Sequence, residues 1–94
     1  MTAEDNKIII TLIGTDKIGI VAKITAILAE CKVNIEDIKQ SIMQDFFVMF
    51  MLAETSQSSL SFNELKEKLT KAGEEMKMEI WVQKKEIFDK MHTI

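Results

Sequence analysis

The stretch Gly14-Thr15-Asp16-Lys17-Ile18-Gly19-Ile20-Val21 is the part of the chain best suited to binding chemistry. It leads from the end of an apolar run through a polar turn into a helical pattern. The first amides of a helix lack backbone partners, and the helix dipole favours negative charge beside them. A small carboxylate is a fitting guest at such a point. Gly19 lets a ligand or a neighbouring backbone come close. A plainer reading is that Asp16 caps the helix while Gly14 and Gly19 shape the turn. Taken alone, the residues favour that plainer reading. Asn34 is the second position of interest, because its amide can donate and accept together. The plainer alternative, again favoured by the residues alone, is an asparagine that tolerates unusual backbone angles at a helix end.

The other reactive side chains point to packing rather than chemistry. His92 is the sole histidine and has no partner at metal-binding spacing. It reads as a surface residue. Cys31 is the sole cysteine. It falls on an apolar helical stripe with no histidine nearby in sequence, so it reads as a buried structural thiol. Met43, Met49, Met51, Met76 and Met78 fall at strand positions and read as core or interface. Glu64, Glu67, Glu74 and Glu75 alternate with lysines, which describes a solvated helix face with ion pairs. There is no phosphate-binding glycine loop, no paired cysteines, no HExxH and no nucleophile elbow. No catalytic residue, metal ligand or cofactor is assigned.

The elements that must position Asp16 and Asn34 are legible from periodicity. Lys7 to Ile13 (KIIITLI) predicts a strand buried on both faces. Ile20, Val21, Ile24, Ile27, Leu28 and Cys31 mark one face of a helix. Between Lys32 and Met43 the apolar parity switches from Val33 and Ile35 to Ile38 and Ile42. A bulge near Glu36 and Asp37 accounts for the switch. Gln44 and Asp45 predict a tight turn into the strand Phe46 to Leu52. Ser61 and Glu64 form a capping box that opens a second helix through Phe62, Leu65, Leu69 and Ala72. Gly73 is expected to close it as a C-terminal cap. Met76, Met78, Ile80 and Val82 predict a half-buried strand. Ile87, Phe88 and Met91 predict a short terminal helix. The order gives an α+β, ferredoxin-like βαββαβ fold. Its four-stranded antiparallel sheet carries two helices on one face, with the terminal helix added. Trp81 and part of the Phe46–Leu52 strand are expected on the opposite, open face, where the terminal helix would cover some of the surface and a partner subunit the rest.

Composition narrows the function classes. The chain has 94 residues, expected as one domain spanning 1–94, with 47% hydrophobic and 29% charged residues. Its formal net charge of −3 gives no general attraction to nucleic acid or anionic membrane. Every basic residue is lysine. Without arginine the chain lacks the bidentate fork that phosphate-handling enzymes of this fold use. No basic residue interleaves Phe46, Phe47 and Phe50, as an RNA-binding sheet would require. The polar start is no signal peptide, and no apolar run approaches a bilayer span. A cytoplasmic protein is expected.

Two phrases at a matched spacing complete the reading: D-K-I-G-I-V at Asp16 to Val21 and V-N-I-x-D-I at Val33 to Ile38. Together with I-F-x-x-M-H at Ile87 to His92, they make the chain resemble the ACT domain family, especially its small stand-alone members of bacteria and archaea. The resemblance covers nearly the whole chain. It implies a non-enzymatic regulatory module that binds a small molecule, namely an amino acid. It implies one pocket wall from Asp16, Lys17, Ile18, Gly19 and Ile20, and another from Asn34 and Ile35, often at the seam of a homodimer. In that picture Asp16 takes the ligand's amino group, amides near Gly19 and Ile20 take its carboxylate, and Asn34 fixes its orientation. With no effector domain attached, such a module must act in trans on a protein partner, whose identity the sequence does not specify. The alternative is a dimerisation or interaction module that binds no ligand.

Overall fold

Strand β1 (Lys7–Gly14) alternates in burial along its length. Ile8, Ile10 and Leu12 are buried, while Ile9, Thr11 and Ile13 are half-buried on the other side. The expectation of two fully buried faces is therefore corrected. Only one face of the sheet carries a full layer of helices, and β1 shows that difference residue by residue. A computed structural model of the chain describes residues 6–91. The expectation for His92 lies outside them.

The remaining elements are α1 (Lys17–Glu30), β2 (Asn34–Met43), β3 (Phe46–Glu54), α2 (Phe62–Glu75), β4 (Glu79–Lys84) and α3 (Lys85–Met91). The strands form one antiparallel sheet in the order β2-β3-β1-β4. This is the ferredoxin-like arrangement expected from the sequence. Helices α1 and α2 bury Ile20, Ile24, Ile27, Leu28, Leu65, Leu69 and Ala72 against Ile8, Ile10, Leu12, Phe47, Met49, Met51, Ala53 and Val82 of the sheet. Cys31 is buried in the same cluster. The parity switch in β2 is a register shift between Ile35 and Asp37. The capping box is complete: Ser61 Oγ accepts from the Glu64 amide at 3.1 Å, and Glu64 Oε1 accepts from the Ser61 amide at 2.8 Å. Those bonds hold the Glu64 carboxyl below its ordinary pKa, with the backbone bond to Ser61 the larger cause. The resulting stabilisation is present above the ordinary carboxylate range and is lost as pH falls through the lowered value.

Two boundaries differ from expectation. Gly73 does not end α2; the helix runs on to Glu75 and Met76 caps it. A Cβ on Gly73 would stand 2.7 Å from Ile80 Cγ2, so this glycine serves close packing of α2 on β4. The left-handed residue is Lys77 (φ 56). Around it the Met78 amide donates to Gly73 O at 3.0 Å and the Lys77 amide to Glu74 O at 3.2 Å. That is a Schellman closure. Helix α1 ends the same way, with Lys32 at φ 59 and Val33 donating to Leu28 O at 2.9 Å. Asn34 is thus the first residue of β2 and not the helix-end residue. The second difference is in β4, which starts at Glu79, so Met76 and Met78 precede the strand. Met78 is buried all the same.

A lysine in the left-handed region carries a steric cost that glycine avoids, roughly 1–2 kcal/mol. Lys32→Gly and Lys77→Gly are each expected to raise stability by about 1 kcal/mol, read as a higher urea midpoint with an unchanged slope. An unchanged or lower midpoint would mean that the lysine side chains contribute more than their backbone costs.

Candidate functional site

Asp16 sits at the turn from β1 to α1. Its Oδ1 accepts from the Gly19 amide at 3.1 Å, and its carbonyl accepts from the Ile20 amide at 2.9 Å. A Cβ at Gly19 would crowd the Asp16 carboxylate, so glycine leaves room for the cap. The amides expected to hold a ligand carboxylate, those of Gly19 and Ile20, are therefore already engaged. Within the first turn of α1, the amides left without a partner among the described residues are those of Lys17 and Ile18. They are the first two of the helix, where the dipole adds its positive end.

The side chains around these donors divide by exposure. Ile18 is 83% exposed, whereas Ile20 is 2% exposed and belongs to the core. The Lys17 ammonium lies 5.6 Å from the centroid of the buried Phe47 ring. This cation–π contact draws the ammonium over the Phe47 ring. The rim therefore combines a carboxylate, an ammonium, two free amides and an apolar side chain. It suits a small zwitterion with an apolar group.

Asn34 and Ile35 lie elsewhere. Asn34 is exposed and pairs with Glu54, which in turn pairs with Lys7 at the start of β1. Gly14, just before the Asp16 turn, pairs with Phe47 at the opposite end. The eight residues of β1 separate the two ends by about 23 Å. Ile35 is half-buried and packs on the core. Asp16 to Ile20 are thus gathered into one turn, while Asn34 and Ile35 stand at the far end of the same sheet.

Two surface hollows involve residues that were not singled out from the sequence. One, of about 520 Å³, runs past Gly14, Thr15, Thr70, Glu74 and Lys77. The other, of about 400 Å³, lies on the open face of the sheet beside α3. Three signs in the sequence bear on it: the bulge in β2, the open face expected of the Phe46–Leu52 strand, and the terminal helix carrying Phe88. Among the described residues no group of three His, Cys, Asp or Glu side chains is placed to hold a metal ion. No helix among them is long and apolar enough to cross a membrane.

Residues 6–83 match the model of the ACT domain. The chain belongs to the ACT domain family. ACT domains are in general regulatory domains that bind small ligands. A UPF0237 protein of Methanococcus maripaludis is 47% identical over 87 residues, covering 93% of this chain and 97% of that protein. A UPF0237 protein of Clostridium acetobutylicum is 46% identical over 88 residues, covering 94% and 99%. An ACT domain protein from Streptococcus pneumoniae superposes with a TM-score of 0.76 at 34% identity, covering 87% of this chain and 92% of that one. The relatives are thus small ACT proteins from both bacteria and archaea. A putative glycine cleavage system transcriptional repressor shares the fold, with a TM-score of 0.73 at 15% identity.

Proposed function

We propose that this ACT domain is an amino-acid-binding regulatory module with no catalysis of its own, acting in trans on a protein partner in the cytoplasm. The observation that carries the reading is the pair of free amides, Lys17 and Ile18, beside the Asp16 carboxylate at the start of α1. A zwitterionic ligand would set its carboxylate on those amides and its ammonium against Asp16.

One copy cannot close a pocket around that ligand with Asn34, because the two walls are a sheet length apart. Two copies can. β2 is an edge strand, exposed along nearly all its length. It presents Ile38 at 39%, Ile42 at 71% and Met43 at 61% exposure. An uncovered edge of this kind is prone to pair with another strand. Antiparallel pairing of two β2 edges about a two-fold axis reverses one copy relative to the other. The Asn34 end of one chain then comes to the Asp16 end of its partner. The proposed site is accordingly a homodimer site, with Asp16, Lys17, Ile18 and Gly19 from one copy and Asn34 and Ile35 from the other; Ile20, buried and with its amide engaged, supports the turn from below.

Isothermal titration against the twenty amino acids, with the mass in solution measured by light scattering, tests this. Saturable binding by a dimer supports the reading. A dimer that binds none of them favours the second reading, an assembly module without a ligand. That alternative draws on the open sheet face, where Phe46, Phe50 and Trp81 are 51%, 42% and 49% exposed.

A further inference from the structure

The bulge in β2 has a consequence on the open face of the sheet. Ile35 pairs with Ala53, but Asp37, not Glu36, pairs with Leu52. Glu36 is the extra residue, and its carboxylate is tied to Lys7 at 3.0 Å. Without the insertion Asp37 and Lys39 would lie on the helix side of the sheet. With it, Asp37 sits beside Leu52 and Lys39 beside Phe50, both on the open face. Bulges commonly re-aim side chains in this way near binding sites.

The two charges border a groove of about 400 Å³ whose apolar wall is Ile9, Phe50, Leu52 and, from α3, Phe88. That volume falls in the range of small-molecule sites. Neither Asp37 nor Lys39 forms an ion pair among the described residues. Among the described residues Asp37 accepts only from the neighbouring Ile38 amide, at 2.9 Å. An unmatched negative and positive charge thus stand on the rim of an apolar trough.

We propose that this groove binds a zwitterionic dipeptide with apolar side chains. The spacing selects the class. Residues two apart on a strand have Cα atoms about 6.6 Å apart. The charged ends of a free amino acid are joined through one Cα, about 2.5 Å, whereas those of a dipeptide are about 6 Å apart. The dipeptide's ammonium meets Asp37, its carboxylate meets Lys39, and its two side chains lie on Ile9, Leu52, Phe50 and Phe88. This site is on the opposite face of the sheet from the Asp16 turn, and its charged rim on β2 runs along the edge proposed above for pairing with a second copy.

Methyl NMR on isoleucine- and leucine-labelled protein, titrated with the dipeptide Leu-Phe, tests the proposal. Saturable shifts at the Ile9 and Leu52 methyls are expected. K39Q and D37N should each weaken the affinity about fivefold or more, with the amide fingerprint otherwise unchanged, since both side chains are on the surface. N-acetyl-Leu-Phe-amide, which lacks both charges, should bind at least about tenfold more weakly. The proposal is overturned if Ile9 and Leu52 do not respond, if blocking the ends or the two substitutions make no difference, or if free leucine and phenylalanine shift these methyls equally well. Shifts confined to Ile18 and Ile20 would sink the groove while leaving the Asp16 site standing.

Discussion

Leu12→Ala is expected to cost the fold about 2–5 kcal/mol. Leu12 lies at the middle of the sheet, on β1 between Met49 of β3 and Ile80 of β4, and is 0% exposed. Truncating it removes apolar burial and leaves a cavity that rigid neighbours fill poorly. The neighbouring elements offer little slack. Ile10 on the same strand, Ile24 and Leu28 on α1, and Leu69 on α2 are all 0% exposed. A domain of this size is stable by roughly 5–14 kcal/mol in total, so a large share is at stake. With a urea slope of about 2 kcal/mol per molar, the midpoint should fall by about 1–2.5 M at fixed protein concentration. Ile42→Ala supplies the contrast. Ile42 is 71% exposed on the edge strand, and its loss should move the monomer's stability by no more than about 0.5 kcal/mol. Equal effects at the two positions would mean that the core does not lie between the sheet and its two helices.

The features that made this core readable in the sequence are local. Helix α1 was legible because Ile20, Ile24, Ile27 and Leu28 repeat at helical spacing and all are buried. The start of α2 was legible because Ser61 and Glu64 satisfy each other across one turn. What escaped depends on residues distant in the chain. Gly73 resembles a helix stop, and only the approach of Ile80 from β4 explains a glycine inside α2. The left-handed Lys32 and Lys77 carry no compositional mark, since glycine and asparagine are the residues that usually signal that geometry. β1 looked buried on both faces because its apolar run cannot report that α1 and α2 cover one side only.

The Asp16 turn divides along the same line. Asp16 as helix cap is a contact across three residues, and the D-x-x-G spacing announces it. Which amides remain free is not announced, because the cap itself consumes Gly19 and the helix consumes Ile20. The separation of Asn34 from Asp16 follows from α1 running back along the sheet. A helix of 14 residues spans about 21 Å, so the residue after it must emerge at the other end. Sequence proximity of the two phrases therefore hid a geometric fact: their meeting requires a second chain. The same holds for Asp37 and Lys39. Their parity switch was visible, but the face they reach depends on pairing with Leu52 and Phe50 of β3.

A shared site makes a sharper demand than a site within one chain. Asp16→Ala alone and Asn34→Ala alone should each abolish amino acid binding while the fold survives. Asp16→Ala gives up one helix cap, about 1 kcal/mol, and Asn34 is exposed at a strand end. Mixing the two variants after subunit exchange should restore binding that neither has. A mixed dimer holds one site with both defects and one with the intact Asp16 turn of the Asn34→Ala chain facing the intact Asn34 of the other. With random exchange half the dimers are mixed, so about one quarter of the sites recover. Titration of the equimolar mixture should return the wild-type affinity at that reduced stoichiometry. Affinity reports the site's chemistry and stoichiometry reports its sharing, so the two readouts separate cleanly. Binding by either variant alone at wild-type affinity would remove that residue from the pocket. No recovery on mixing, with exchange verified by mass spectrometry of labelled chains, would mean that Asp16 and Asn34 do not complete one site across a dimer.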